Sequence, residues 1–288
     1  MPQNIELFAY LNIEHPMVAW EVAIGRMKSS CDNIKDNFGI SLWQYNLLKK
    51  YSNTGEYKKI INELKLERMR QRKYSNHVSR LRGLYFFESE EDAKSALDRW
   101  NMPQRKKYIS AVNFSANSVT KVDSEWITWN LLSENTDWME RYWSGEIYGE
   151  KPLYEYLASG FGVIQNKDLR TQAYKRIMDA WPTSTPLLAS ACCAFKHKRM
   201  EEIALLTPAL TRENDRLLGS YFINMEDLNN REQEVATAVG ICNECNETPP
   251  MILPENPNDF FSLPDFRSDC FEFKDTEAQA LYEQIHKS

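Results

Sequence analysis

The segment from Leu84 to Pro103 is the part of the sequence whose pattern most restricts the fold. It begins with an apolar and aromatic run, Leu84 to Phe87, which is typical of a strand covered on both faces. Ser89 then precedes three acidic residues, the arrangement expected at a helix N-terminus. Apolar residues follow at helical spacing: Ala93, Ala96, Leu97 and Trp100. The segment therefore predicts a strand packed against a helix that ends before Pro103.

Strand and helix patterns alternate through the first 167 residues. Alternating apolar residues predict a strand over 5–13. Aromatic and branched residues predict four more strands, the last two joined by a turn at Ser159-Gly160: 108–114, 126–132, 153–157 and 161–164. Helical spacing predicts helices within 17–76 and over 135–143. Residues 1–167 are therefore expected to form an α+β domain.

The pattern changes after Asp168, where apolar residues recur mostly at helical spacing. Helices are predicted around 187–206 and 211–239, and a final helix over 276–287. Five prolines stand between 249 and 264, which favours an extended strap over regular structure. Residues 168–288 are therefore expected to form a mainly helical region with a Pro-rich strap at 249–264.

Glycine is scarce, with 10 residues in 288, about half of the usual share. No G-x-G-x-x-G and no G-x-x-x-x-G-K-[ST] sequence occurs, and Gly160-Phe161-Gly162 lacks the third glycine of a dinucleotide fingerprint. These absences exclude the common phosphate-binding loops. A nucleotide that binds this chain must be held by other means.

Charge is distributed unevenly along the chain. Between Lys49 and Arg82 there are eleven Lys or Arg and three Glu, a net +8, which leaves −14 on the rest of a chain whose total is −6. Such a basic block is either the solvated face of a helix or a surface for the phosphates of a ligand or nucleic acid. The sequence leaves both interpretations open.

Cysteine usage and hydropathy predict a cytoplasmic protein with reduced thiols. No apolar run approaches the length of a membrane span, and the N-terminus lacks the features of a signal peptide. Cys242 and Cys245 have ligand-like spacing, but a structural zinc site needs four ligands, and only Cys270 and His286 lie near them in sequence. We therefore expect no metal and no membrane association.

The familiar catalytic motifs are missing. The sequence contains no H-E-x-x-H and no G-x-S-x-G, and its four histidines are scattered. Nucleophilic catalysis by Ser or Cys has no support in the pattern. The chemistry-bearing features that remain are Ser79-Arg80-Leu81-Arg82-Gly83, which leads into the aromatic strand, and Glu155 within a late strand pattern.

Three short stretches resemble a family of uncharacterised bacterial domains related to ADP-ribosyltransferases. They are Arg82-Gly-Leu-Tyr-Phe-Phe-Glu-Ser-Glu-Glu-Asp-Ala93, the Tyr-Trp-Ser-Gly of 142–145, and Pro152-Leu-Tyr-Glu-Tyr-Leu157. The resemblance covers roughly 5–166. It implies a split β-sheet that holds NAD, as the substrate, in a cleft without a Rossmann fingerprint.

The resemblance also implies roles for individual residues. Glu155 would be the catalytic glutamate that contacts the nicotinamide ribose, where positive charge develops as the glycosidic bond breaks. NAD would be bound by five other residues: Tyr10, Arg80, Arg82, Tyr85 and Phe86. Leu11 follows Tyr10 where relatives commonly have His or Arg. The residues alone equally allow Glu155 on a solvated strand face and the aromatic residues in the core.

The acceptor of the ADP-ribose is less well defined. Enzymes that modify arginine often have Glu or Gln two residues before the catalytic glutamate, and here that position is Leu153. By this analogy we expect the acceptor to be a nucleic acid or a non-arginine protein site. The settings in which such domains tend to occur suggest the role of a toxin or phage-defence effector. Residues 168–288 would bind an antitoxin or regulatory partner. The alternative is a non-catalytic module that binds nucleic acid or protein through the basic segment 49–82.

Overall fold

The computed structural model describes residues 2–30, 37–214 and 216–273, and they form two antiparallel sheets with helices around them. The strands are β1 (Gln3–Tyr10), β2 (Arg26–Lys28), β3 (Asn37–Gly39), β4 (Leu84–Phe86), β5 (Ile109–Asp123), β6 (Tyr154–Ile164), β7 (Leu206–Glu213), β8 (Arg216–Ile223) and β9 (Phe271–Phe273). The helices are α1 (Pro16–Ile24), α2 (Leu42–Thr54), α3 (Lys58–Lys73), α4 (Glu90–Arg99), α5 (Glu125–Asn130), α6 (Asp137–Trp143), α7 (Lys167–Ala180), α8 (Thr185–Lys198), α9 (Glu226–Asn230) and α10 (Glu232–Glu244). The expected α+β class is confirmed.

The first sheet has the strand order β1-β5-β6-β2, with β4 also paired to β6. The outer edge of β6 is divided between two partners, because β4 pairs with its first half and β2 with its second half. Phe8 and Phe87 exchange backbone hydrogen bonds of 2.9 and 2.8 Å. These bonds bring β1 against the end of β4, so the sheet curls back on itself.

The segment around β4 has the structure that its sequence predicts. The hydroxyl of Ser89 accepts a hydrogen bond from the backbone N–H of Asp92 at 3.0 Å, and three acidic residues occupy the first turn of α4. Ala93, Ala96 and Leu97 are buried against the sheet. The predicted strand and helix at 84–103 are therefore confirmed.

Strand β6 is continuous, although its sequence predicted two strands joined by a turn at Ser159-Gly160. Gly160 has φ 142°, and a Cβ placed there would lie 2.2 Å from the carbonyl oxygen of Ser115. The register of β5 shifts between Ala116 and Ser118, opposite this glycine. Gly160 therefore allows a close approach within a bulged strand pair, and the chain does not reverse there.

Helix α5 replaces the strand predicted over 126–132. The Asp123 carboxylate accepts a hydrogen bond from the Glu125 N–H at 3.1 Å, and the Thr128 hydroxyl donates to the Ser124 carbonyl. These local side-chain contacts favour a helical turn over an extended chain. Of the two aromatic residues that suggested a strand, Trp126 packs into a buried cluster, whereas Trp129 is 67% exposed.

The second sheet has the strand order β3-β7-β8-β9, and it corrects the prediction of a helix beginning at 211. Strands β7 and β8 form a hairpin that turns near Asn214, a residue with φ 55°. A Cβ at Gly219 would lie 2.2 Å from the Phe271 ring, so the glycine lets β9 pack on β8. The region after 168 is accordingly mixed, with helices α7 to α10 beside three strands.

One hydrophobic core includes residues from both halves of the chain. Trp20 of α1 is fully buried, and its indole N–H donates to the Ala204 carbonyl at 3.0 Å. Ala173 of α7 and Leu188 of α8 belong to the same buried cluster. Residues before and after 168 therefore complete each other's core.

Three further predictions concern the Pro-rich segment 249–264, membrane-spanning helices and the helix expected over 276–287. Within 249–264 the described residues contain one 3₁₀ turn, Pro257–Phe261, and no other regular element. In the described parts of the chain no helix is both long and apolar enough to cross a membrane. The helix predicted over 276–287, together with Cys31 and His286, lies outside the described residues.

Candidate active site

Glu155 is the second residue of β6 and shares a face of that strand with Leu157. Its backbone lies opposite Val122 of β5, and Leu157 lies opposite Tyr85 of β4. Leu157 is fully buried, whereas the Glu155 side chain keeps about 10% of its surface exposed. The carboxylate therefore stands at the margin of the core, close to the solvent.

Arg80 holds this carboxylate from the loop before β4. Its Nη1 lies 2.6 Å from Oε1 of Glu155 and 2.7 Å from the Tyr142 hydroxyl. Its Nε and Nη2 donate to the Glu63 carboxylate of α3 at 3.0 and 3.1 Å. The Tyr142 hydroxyl in turn donates to Oε1 of Glu155 at 3.1 Å. We call these four residues, Glu63, Arg80, Tyr142 and Glu155, the Arg80 cluster.

The Arg80 cluster is buried and highly polar. Burial opposes the charged guanidinium, but the Glu63 carboxylate, with Tyr142, Tyr85 and Glu155, raises the pKa of Arg80 well above its usual value. Burial also raises the pKa of Tyr142, so its hydroxyl stays protonated and can donate. Two carboxylates and one guanidinium leave the cluster with an excess negative charge.

The two oxygens of the Glu155 carboxylate differ in their surroundings. Oε1 accepts hydrogen bonds from Arg80 and Tyr142, whereas Oε2 accepts none from the described residues. One oxygen is thus fixed by the protein and the other is left as an acceptor. A carboxylate held in this way can accept a hydrogen bond from a ligand hydroxyl or stabilise a nearby positive charge.

Aromatic residues surround the cluster. The guanidinium carbon of Arg80 lies 5.2 Å from the centre of the Tyr85 ring and 5.5 Å from that of Tyr142. The Tyr85 hydroxyl donates to the Arg80 carbonyl at 2.7 Å. The Trp43 indole N–H donates to Glu63 at 3.1 Å, while 41% of this residue is exposed. Trp43 therefore joins the buried cluster to the surface.

The structure thus brings together three of the residues selected from the sequence: Arg80, Tyr85 and Glu155. Arg82 points elsewhere, since its guanidinium carbon lies 4.3 Å from the centre of the Phe38 ring in the second sheet. The guanidinium of Arg80 donates four hydrogen bonds to the side chains of Glu63, Tyr142 and Glu155. In this structure it therefore binds protein groups.

Tyr10 and Phe86 lie away from Glu155. Tyr10 pairs with Ile109 at one end of β5, whereas Glu155 pairs with Val122 at the other end. The Tyr10 hydroxyl accepts a hydrogen bond from Arg105 at 2.7 Å. Phe86 faces the opposite side of β4 from Tyr85 and is fully buried, with its ring 4.9 Å from that of Phe114. In this structure its ring is enclosed by the core.

Sequence reasoning missed Glu63, Trp43 and the role of Tyr142. Glu63 and Glu67 are four residues apart in a helix that is otherwise strongly basic. Two acids on one face of such a helix indicate that this face meets buried cations. Glu67 indeed pairs with Arg70 and accepts from the Ser79 hydroxyl at 2.9 Å. Tyr142 stands in the Tyr-Trp-Ser-Gly stretch, where the resemblance alone drew attention to it.

The five cysteines that the structure describes form no arrangement typical of a metal centre. Cys242 is buried beside Cys193, and Cys245 is exposed. Across 2–30, 37–214 and 216–273, no group of three or more His, Cys, Asp or Glu side chains is placed to hold a metal ion.

A protein-family model matches about half of the chain. The model of a family described as a protein of unknown function, DUF2441, matches residues 18–168. This range contains Trp43 and all four residues of the Arg80 cluster. No curated protein matches the chain.

Proposed function

This chain belongs to the DUF2441 family of proteins of unknown function, and from that premise we propose that it is an NAD-dependent ADP-ribosyltransferase whose catalytic residue is Glu155. The observation that carries the proposal is the Glu155 carboxylate, of which one oxygen is hydrogen-bonded by the protein and the other is not. Its Oε1 is fixed by Arg80 and Tyr142, and its Oε2 accepts no hydrogen bond from the described residues, while about 10% of the side-chain surface remains exposed. The resemblance of residues 5–166 to ADP-ribosyltransferase-related domains supports the same role.

Glu155 would accept a hydrogen bond from a hydroxyl of the nicotinamide ribose. The bond from the ribose C1′ to the nicotinamide nitrogen then breaks, and its electron pair leaves with neutral nicotinamide. The negative carboxylate stabilises the positive charge on the ribose ring until the acceptor's nucleophilic atom bonds to C1′ and releases its proton to water. No further co-reactant is required.

Arg80 and Tyr142 would act as positioning residues in this scheme. Their hydrogen bonds to Oε1 fix the orientation of the carboxylate and leave Oε2 without a hydrogen bond from the described residues. Glu63 orients Arg80 in the same way from α3. Tyr85 and the exposed Trp43 offer aromatic surface for the nicotinamide or adenine ring.

The decisive experiment measures nicotinamide release from NAD by the full chain. Glu155→Gln keeps the shape of the side chain and removes its charge, so we expect kcat to fall by at least about 100-fold. Glu155→Asp keeps the charge but shortens the side chain. Comparing the two variants therefore separates the effect of losing the charge from that of moving the carboxylate. Glu150→Gln, at an exposed position in the preceding loop, is the matched control and should leave the rate unchanged.

Circular dichroism establishes that each variant is folded. If the folded wild-type chain releases no nicotinamide over a range of acceptors, or if Glu155→Gln retains the wild-type rate, the transferase proposal is wrong.

A second candidate function, binding of nucleic acid through the basic segment, is favoured by the orientation of α3. Glu63 and Glu67 turn inward, while Lys65, Arg68, Arg72 and Lys73 are exposed. These four cations line a groove of about 500 Å³ between α3 and α6 that also contains Met69 and Met139. Three of them, Lys65, Arg68 and Arg72, form no ion pair with a described residue. A phosphate backbone fits such a face, as a substrate or as a partner.

Binding of a 20-nucleotide single strand tests this second function. Replacing Lys65, Arg68 and Arg72 by Ala should weaken binding. It should also reduce the slope of log K against log salt concentration by the amount expected for the loss of about three phosphate contacts. The control replaces Lys94, Lys106 and Lys121, which are ion-paired at the surface of other parts of the chain and change the net charge equally. Equal weakening by both triple variants, or binding that does not respond to salt, contradicts a specific role for α3.

A further inference from the structure

A large cavity lies between α7 and α8; its lining contains no residue of the Arg80 cluster, and it has no role in the proposed transfer reaction. Its volume is about 820 Å³, within the range of small-molecule binding sites. Ala23 of α1 and Val163 of β6 contribute to its floor, and Pro249 and Pro250 border it. We call it the α7–α8 cavity.

The inner surface of the α7–α8 cavity is apolar. Tyr174 and Met178 of α7 face Cys192, Cys193 and Phe195 of α8 across it. Burial raises the pKa of Cys192 to about 12, so this thiol is neutral at physiological pH. An aliphatic or aromatic body of a ligand would therefore meet uncharged groups along the floor.

The rim of the same cavity is cationic. The lining includes five basic residues and one acid: Lys167, Arg170, Lys175, Lys196, Arg199 and Glu247. Lys175 pairs with Asp179 and Lys196 pairs with Glu247. Lys167, Arg170 and Arg199 form no ion pair with a described residue. The rim therefore has three positive charges without a matching carboxylate.

Arg170 is the most constrained of these cations. Its Nη2 donates to the Ile24 carbonyl at 3.0 Å, and its guanidinium lies against Gly25, where a Cβ would be 2.4 Å from the guanidinium carbon. Its Nε is buried and has no acceptor among the described residues. A buried cationic N–H without an acceptor is unfavourable, and an anionic oxygen would satisfy it.

The border of the cavity is fastened to both helices. The Tyr174 hydroxyl donates to the Pro250 carbonyl at 2.7 Å, and Lys196 pairs with Glu247 at 2.6 Å. These contacts hold the segment 247–250 across one end of the space between α7 and α8. The cavity is thus lined by residues of α1, β6, α7, α8 and α10 and of the segment 247–250.

We propose that the α7–α8 cavity is a binding site for an amphipathic anion, a small molecule whose apolar body lies on the floor and whose carboxylate or phosphate is bound at Arg170 with Lys167 or Arg199. Charge complementarity at the rim and the apolar floor together select this class over a neutral apolar compound. The site is independent of the transferase proposal.

Calorimetric titration of the full chain with decanoate tests the site. Decanoate supplies a ten-carbon body and a carboxylate; decanol supplies the same body without charge, and acetate the charge without the body. We expect one decanoate per chain, with decanol and acetate at least about tenfold weaker. Decyl phosphate in the same titration distinguishes the two head groups. Absence of decanoate binding, or equal binding of decanol, overturns the proposal.

Variants locate the binding. Thr171→Trp places a large ring at the exposed edge of the cavity and should abolish binding. Thr237→Trp on α10 is the matched control, because both threonine hydroxyls only donate to the carbonyl four residues earlier. Arg170→Gln should weaken decanoate about tenfold and leave decanol unchanged, whereas Arg176→Gln, on an exposed part of α7 outside the lining, should do neither. If Thr237→Trp abolishes binding as well, the assigned location is wrong.

Discussion

At the scale of single residues, the most unusual feature is a guanidinium shared by two carboxylates in the interior. Arg80 is 3% exposed, and Glu63 is fully buried. Burial of three charges is costly, and each depends on the others for compensation. Such an arrangement is typical of positions where a charged group is needed for function, since apolar residues would give an equally stable core.

Replacing Arg80 by Met tests how strongly the cluster depends on its cation. The variant leaves the Glu63 and Glu155 carboxylates buried without their shared cation, so we expect the free energy of unfolding to fall by about 3–5 kcal/mol. Urea denaturation measures the change. Arg68→Met, at an exposed position on α3, should alter the stability by less than about 0.5 kcal/mol. Similar losses in both variants would mean that Arg80 has no special structural role.

His15 gives a prediction for pH dependence. Burial lowers the pKa of His15, the charge of Asp269 opposes this shift, and Lys49 adds to it. The unfolded chain therefore binds a proton near pH 6.5 that the folded chain does not yet bind, and the free energy of unfolding falls as the pH drops below about 6.5. His77 has a lowered pKa for the same main reason and contributes in the same direction.

Denaturant titrations between pH 7.5 and 5.5 measure the slope. His15→Asn should reduce the pH dependence and keep the part that His77 contributes. An unchanged slope in His15→Asn would show that His15 does not control the stability in this range.

At the scale of secondary-structure elements, β6 organises the candidate site. It pairs with β5 along its length and with β4 and β2 in turn along its other edge. The first half of β6 carries Glu155 and meets β4, which follows Arg80 directly. The second half begins at Gly160, where the strand pair is irregular. The same strand therefore supplies both the catalytic candidate and the glycine that faces the bulge of β5.

Two glycine variants test the importance of that bulge. Gly160→Ala places a Cβ 2.2 Å from the Ser115 carbonyl oxygen at a positive φ, so we expect a loss of more than about 2 kcal/mol in the free energy of unfolding. Gly240→Ala, within α10, meets no atom within 4 Å and should stabilise the chain by about 0.5–1 kcal/mol. Thermal unfolding of both variants gives the comparison. A neutral Gly160→Ala would mean that the backbone relaxes easily at this position.

At the scale of the whole molecule, the core joins the two halves of the chain. The α1 helix is enclosed by α7, α8 and the loop that contains Ala204. Strand β3, from the first half, pairs with β7 from the second. The first 167 residues alone would therefore expose a large apolar surface on α1 and leave β3 unpaired.

A fragment of residues 1–167 tests this interdependence. We expect it to lack a cooperative thermal transition and near-ultraviolet dichroism, whereas the full chain should unfold in one transition. The complementary measurement mixes the fragment with residues 168–288 and monitors recovery of the Trp20 environment. A fragment 1–167 that unfolds sharply by itself would show that the halves are independent domains.

The sequence allowed local features to be predicted more successfully than long-range ones. The β4 strand and α4 helix were predictable because their signals, an apolar run, a Ser cap and helical spacing, lie within twenty residues. The β7–β8 hairpin was not, because its buried side requires β3 and β9, which are distant in sequence. Tertiary pairing outweighs local propensity in such strands.

The same distinction applies to the site. Glu155, Arg80 and Tyr85 were selected because they stand in or beside recognisable motifs. In the structure Arg80 contacts both of the other residues. Glu63 was missed because nothing in a basic helix indicates which distant cation its carboxylate meets. Tyr10 and Phe86 were selected from strand motifs, but the curvature of the sheet and the alternation of strand faces direct them elsewhere.

The connection from Glu63 through Arg80 to Glu155 has a mechanical consequence. Glu63 is on α3, whose outer side carries Lys65, Arg68 and Arg72, while Glu155 is on β6. A short rigid linkage of hydrogen bonds thus joins the inner side of a basic helix to the carboxylate. A partner that binds the outer side of α3 and displaces this helix would therefore also shift Arg80. Because Arg80 is hydrogen-bonded to Glu155, the position of the carboxylate would change with it.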